Sequence, residues 1–168
     1  MLKAYFDQFA VYNSWANRRV YEDAATLPDE VRKRGAGLFF GSLHATLNHV
    51  LVADYIWMRR FTGDGPLPQR LNQILYEDFS ELRAARQAED ERIVDFVTGL
   101  QEYDRVITYK NSTGKTFRQL LGAALAHFFN HQTHHRGQLH AGLTIAGIRE
   151  PASLDLVALQ RSGADVKA

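Results

Sequence analysis

From residue 2 to residue 30, in LKAYFDQFAVYNSWANRRVYEDAATLPDE, the apolar positions Leu2, Phe6, Phe9, Ala16 and Val20 recur every three or four residues. That spacing places them on one face of a helix, and Pro28 ends the run because its ring removes an amide donor and crowds the preceding turn. The next stretch, VRKRGAGLFFG, is punctuated by glycine and reads as a loop. Ser42 then stands where a side-chain oxygen can cap a second helix, SLHATLNHVLVADYIWMRRFTG, which the stretch from Gly63 to Pro68 breaks. Between Tyr76 and Leu100 charges of opposite sign alternate at near-helical spacing through Glu81, Arg83, Arg86, Glu89, Arg92 and Asp95. This predicts a third helix with its charged face in solvent. The segment RVITYKNSTGKTF places β-branched and aromatic residues on either side of an Asn-Ser-Thr-Gly turn, the pattern of a short hairpin. A fourth helix is predicted from about Thr116 to Ile145, before Gly147, by its 3.6-residue periodicity. After Pro151, SLDLVALQRSG predicts a short terminal helix.

Four long segments, each with one apolar stripe, must bury those stripes against one another. The expected fold is therefore all-α, a four-helix bundle with long connections and a short β-hairpin before the fourth helix. At 168 residues, 45% hydrophobic and 23% charged, the chain has the size and composition of one globular domain, 1–168. There is no repeat, low-complexity tract or linker long enough to divide it. Twenty Lys and Arg against nineteen Asp and Glu give a net charge of +1, so no global field draws the chain to nucleic acid or an anionic membrane. The sequence has no apolar run of membrane-spanning length and no signal-peptide pattern at its start, which leads us to expect a soluble, cytoplasmic protein. With no cysteine, disulfides, thiolate ligands and a cysteine nucleophile are excluded, and any metal must be held by His, Asp or Glu.

Residues 131–138 read HQTHHRGQ, three histidines in five positions. With about 100° of rotation per residue and His131 as zero, the apolar side chains of this helix centre near +40°. His135 falls at about +40°, His127 near −40°, His134 near −60° and His140 near 180°. His131 and His135 thus point inward at i, i+4, close enough to share one ion. On the second helix His49 lies toward Ala45, Ala53 and Ile56, whereas His44, Asn48, Tyr55, Arg59 and Thr62 gather on what reads as its wetter side. Asp54 also falls in the apolar arc, but about 140° from His49, so it should not meet the same ion and needs a buried partner of its own. A lone inward histidine is ordinarily a hydrogen-bonded core residue; three from two helices make a metal site the stronger expectation. Arg136 and Gln138 could equally contact a substrate or tie neighbouring helices.

Three familiar motifs fail on their letters. A zinc-peptidase helix needs H-E-x-x-H, and the position after His131 is Gln132, which cannot take a proton. NSTGKT ends like a phosphate-binding loop, yet Tyr109 stands where its first glycine belongs. A di-iron bundle needs Glu-x-x-His on two helices, and neither His131 nor His134 has a glutamate three residues before it.

Taken together, YNSWANRRV at 12–20, LNHVLVADYIWMRRF at 47–61 and HFFNHQTHHRGQLHAGLTIAG at 127–147 resemble the DinB/YfiT-like family, in order and over nearly the whole chain. The resemblance implies a four-helix bundle with a divalent metal held by three histidines, commonly as a homodimer. Carried over by position, the ligands are His49, His131 and His135. Some similar proteins are metal-dependent transferases or isomerases that use low-molecular-weight thiols, which suggests a small-molecule substrate and a thiol-dependent S-transferase or isomerase. Two alternatives stand beside it: a metal-dependent hydrolase, and a non-catalytic metal-binding stress-response protein. Zinc or nickel is the expected ion, and imidazole ligands also suit iron, cobalt or copper. A homodimer is expected on the same resemblance, and also from the aromatic residues Tyr5, Phe6, Phe9, Tyr12 and Trp15, which cover more than one face of the first helix.

Overall fold

The computed structural model describes residues 1–111 and 113–163. Its described residues form α1 (Leu2–Ala25), α2 (Asp29–Lys33), α3 (Leu43–Thr62), α4 (Phe79–Thr98), β1 (Val106–Lys110), β2 (Thr116–Leu120), α5 (Leu121–Ile145) and α6 (Leu156–Arg161). The structure is thus mostly helical with one two-stranded antiparallel sheet. Among the long helices, α1 packs on α4 and α5, and α3 packs on α5 and α4. No helix of the described residues is long and apolar enough to cross a membrane.

The punctuation around α3 works as its chemistry dictates. Ser42 Oγ accepts from the Ala45 amide at 3.1 Å, and Gly63, at φ 81°, takes the left-handed conformation that closes the helix. Elsewhere the chain departs from expectation in four places. The glycine-punctuated loop is preceded by a one-turn helix, α2, where Arg32 donates to the carbonyls of Ala24 and Leu27. The third helix begins at Phe79 rather than Tyr76, because Asp78 caps it through the Glu81 amide. The fourth begins at Leu121 rather than Thr116: residues 116–120 are β2, paired from Val106↔Leu120 to Lys110↔Thr116. In the turn between the strands, Asn111 Oδ1 accepts from the amides of Thr113 and Lys115, and Ser112 lies outside the described residues.

The fourth departure is electrostatic. The charged face of α4 is not all in solvent: Arg86, Glu89 and Asp90 are buried. Arg86, 2% exposed, pairs with Asp54 on α3 and with Asp90 at 3.0 Å on its own helix. Asp90 Oδ1 also accepts from Asn17 Nδ2 on α1 at 2.9 Å. From α5, Gln132 donates to Asp54, and Arg136 donates to Asn13 and Asn17. All four long helices therefore contribute to one buried polar layer. It lies at mid-length along each helix, between an apolar cluster containing Phe6, Met58, Ile93 and Phe128 and another containing Val20, Leu51, Leu82 and Leu139. Burial pushes the Asp54 and Asp90 carboxyls up and the Arg86 guanidinium pulls them back down.

The aromatic surplus of α1 is largely consumed inside the chain. Phe6 stacks on Tyr103, Tyr12 is buried against α6 with its hydroxyl donating to the Leu154 carbonyl at 2.7 Å, and Leu2 and Tyr5 remain as exposed large apolar residues of α1. The expectation of a dimer then rests on the family resemblance.

Removing Arg86 would leave two buried carboxylates without their cation, a loss that costs about 3–5 kcal/mol. Arg86→Ala should lower unfolding stability by that order in a denaturant titration, whereas an exposed control such as Arg83→Ala should change it by less than about 0.5 kcal/mol.

Candidate metal centre

His49 sits on α3, and His131 and His135 occupy one face of α5 a single turn apart. His49 Nε2 lies 3.2 Å from His135 Nε2, which lies 3.0 Å from His131 Nε2. The three ligand atoms lie within 4.8 Å of one another. Nitrogens bound tetrahedrally to one zinc, at about 2.0–2.1 Å, stand about 3.3 Å apart, so the spacing suits a shared ion.

Proton positions decide what the cluster can be. His49 Nδ1 lies 2.7 Å from the Leu71 carbonyl oxygen, and His135 Nδ1 lies 2.8 Å from Gln138 Oε1. Neither oxygen carries a proton, so both Nδ1 atoms donate and both neutral rings present a bare Nε2 lone pair. Those lone pairs face each other at 3.2 Å, an arrangement that repels unless a positive charge lies between them. A proton is a poor candidate at neutral pH. Burial first, and then His135, lowers the pKa of His49 to about 4. Burial, followed by the neighbouring His135 and His49, lowers that of His131 to about 3. Burial also lowers His135. Neutral imidazoles are the ligand form, so the three residues fit a divalent ion.

Neighbouring groups hold the rings in place. The Phe40 ring stacks on His49 at 3.7 Å with an interplanar angle of 17°, and Gln138, one turn on from His135, orients that ring. A hydrogen bond to the nitrogen opposite the ligand atom fixes both tautomer and orientation. Phe40 and the Leu71 carbonyl went unread in the sequence because both lie in irregular segments without periodicity.

The other sequence candidates separate cleanly. Gln138 reaches the site through His135; Asp54 and Arg136 do not, since the first is buried with Arg86 and Gln132 and the second points to Asn13 and Asn17 on α1. His127 and His134 are exposed and lie beside the cluster, as their helix angles suggested. The wetter side assigned to the second helix is a correction. His44, Asn48 and Tyr55 are buried because residues 71–76 cross over them, with Asn48 Oδ1 accepting from the Leu75 and Tyr76 amides and His44 Nε2 lying 2.9 Å from the Tyr76 carbonyl. A cleft of about 880 Å³ opens on His49 and His131 and is walled in part by Trp57 and Tyr109.

A mostly helical chain with a buried interhelical histidine cluster that could hold a metal ion is the class of protein this defines. The sequence profile of the DinB family matches residues 1–164, and the chain belongs to that family. Protein DinB of Bacillus subtilis (strain 168) is 28% identical over 145 residues, covering 81% of this chain and 83% of that protein. The resemblance read from the three sequence motifs is borne out.

Because the three histidines have folded pKa values below their ordinary 6.5, the unfolded chain takes up protons that the folded, metal-free protein refuses. Their contribution to stability is complete above about pH 6.5 and is lost as pH falls from there toward about 4 and below. In metal-free protein the stability of wild type relative to His131→Asn should therefore fall between pH 7 and pH 4 in parallel denaturant titrations. A difference independent of pH would contradict the protonation states assigned here.

Proposed function

We propose that the protein is a metal-dependent enzyme of the thiol-dependent S-transferase or isomerase kind, with His49, His131 and His135 holding one divalent ion, zinc or nickel, between two helices of a four-helix bundle. The observation that carries this is the pair of opposed Nε2 lone pairs of His49 and His135, fixed by the Leu71 carbonyl and Gln138, in a cluster whose His49 and His131 line a cleft. When bound, a divalent ion supplies Lewis acidity, which lowers the pKa of a thiol or water and polarises an electrophile. The chain's own residues do the rest. Three neutral imidazoles add no negative charge and so leave the ion its full electrophilic strength. Phe40 keeps the His49 ring from turning and Gln138 does the same for His135. The cleft gives a small molecule a path to His49 and His131.

A hydrolase is less well supported. Water activation calls for a group that accepts its proton, and Gln132, which follows His131, cannot do so and is committed to Asp54. Among the described residues no carboxylate lines the cleft, and His127 is the one imidazole lining it beside the cluster that could take that part.

Cobalt substitution separates the readings. Adding a low-molecular-weight thiol such as glutathione to cobalt-loaded protein should produce sulfur-to-cobalt charge-transfer absorption in the near ultraviolet, and His135→Ala should abolish it. If none of several thiols perturbs the spectrum of a protein that does hold cobalt, the thiol-dependent reading fails and activation of water becomes the better one.

A further inference from the structure

The cleft beside the histidines has a one-sided charge. Arg59, Arg60, Arg70 and Lys110 all line it, and no Asp or Glu does among the described residues. Nor does any of the four have a carboxylate within ion-pairing distance among those residues; Arg59 donates to the Gly65 carbonyl, a neutral acceptor. This contrasts with the buried layer, where Arg86 meets two carboxylates.

Arg60 is the most committed of the four. Its guanidinium lies 4.5 Å from the centre of the Trp57 ring and 4.6 Å from that of Tyr109, half-buried between two aromatic faces. Tyr109 is in turn fixed by its hydroxyl donating to Gln119 Oε1 at 2.7 Å and by stacking on Phe117 across the hairpin. The rings hold the guanidinium plane while offering no hydrogen-bond acceptor, so its N–H groups are left for something else. Burial penalises the unpaired charge and lowers the Arg60 pKa below its ordinary value. A planar, pre-positioned guanidinium with free N–H groups is the recognition element for a carboxylate or phosphate.

We propose that this cleft binds a small organic acid, its carboxylate or phosphate on Arg60 with Arg59, Arg70 and Lys110 around it, its apolar body on Trp57, and its far end directed toward His49 and His131. This names the substrate class for the site under Proposed function. It depends on the metal-centre reading only for which end of the ligand reacts; the anion pocket stands without the ion.

Trp57 reports binding directly. The chain has two tryptophans, and Trp15→Phe removes the one that lies outside this cleft. With that protein, benzoate, phenyl phosphate and the neutral isostere benzamide are titrated against Trp57 fluorescence at low and high salt, with and without prior removal of metal by chelator. At least one acid should bind at least about tenfold more tightly than benzamide, the worth of a charge-assisted hydrogen-bond pair, and should weaken at high salt. The comparison of benzoate with phenyl phosphate identifies which acid the pocket prefers. Arg60→Gln should lower the acid affinity by about tenfold without changing metal content. Should that variant fail to fold, the exposed pair Arg70→Gln with Lys110→Gln should lower it several-fold. Benzamide binding as tightly as both acids, neither acid binding, or acid affinity unchanged by these substitutions would overturn the proposal. A protein that binds acids but no metal would refute the metal-centre reading and leave this one standing.

Discussion

Two guanidiniums and two carboxylates on α3, α4 and α5, buried at mid-length together with two asparagines of α1, tolerate very few relative placements of those four helices. Arg86 and Asp54 meet from α4 and α3, Asp90 reaches Asn17 on α1, and Arg136 reaches back from α5. An unpaired buried charge costs several kcal/mol, a large part of the 5–15 kcal/mol that holds a domain together. Apolar contacts in the two flanking clusters could survive a modest rotation of one helix, since hydrophobic burial is non-directional. The polar layer could not. On α5 its two members, Gln132 and Arg136, each directly follow a histidine of the cluster, His131 and His135. Locking the first pair against α3 and α1 sets the rotation of α5, and the histidines, about 100° away, are thereby aimed at α3.

The same division of labour runs through the site. Residues that carry charge in the core are spent on geometry, whereas the histidine cluster is built from neutral rings, two of which, His49 and His135, have their protons assigned by a backbone carbonyl and one glutamine. Among the described residues, the arginines and lysine that line the cleft outside it meet no carboxylate. Opposite charges meet at Arg86, where they hold the fold, and not along the cleft, where a ligand can reach the cations.

How much of this the sequence discloses depends on whether a residue's role follows from its own helix. The angles of His131, His135, His127 and His134 were legible because α5 is regular over that span, and the 140° separation that kept Asp54 away from His49 was legible for the same reason. The partner of Asp54 was not: Arg86 looked like one more charge on a solvated face, and only the packing of α4 against α3 buries it. Residues 116–120 misled in a different way. Phe117, Leu120 and Leu121 continue the helical spacing of α5, yet pairing with residues 106–110 overrides it and leaves Leu120 half-exposed. His44 and Asn48 seemed wet because nothing in their own helix announces that residues 71–76 will cross them.

The central claim is that three lone pairs converge on one cation, and anomalous diffraction from crystals grown with zinc or cobalt tests it most directly. We expect a single peak at the metal edge, about 2.1 Å from the Nε2 atoms of His49, His131 and His135, with both Nδ1 contacts unchanged. A map with no peak at that position, or with the ion held by His127 or His134 in place of His49, would contradict the account.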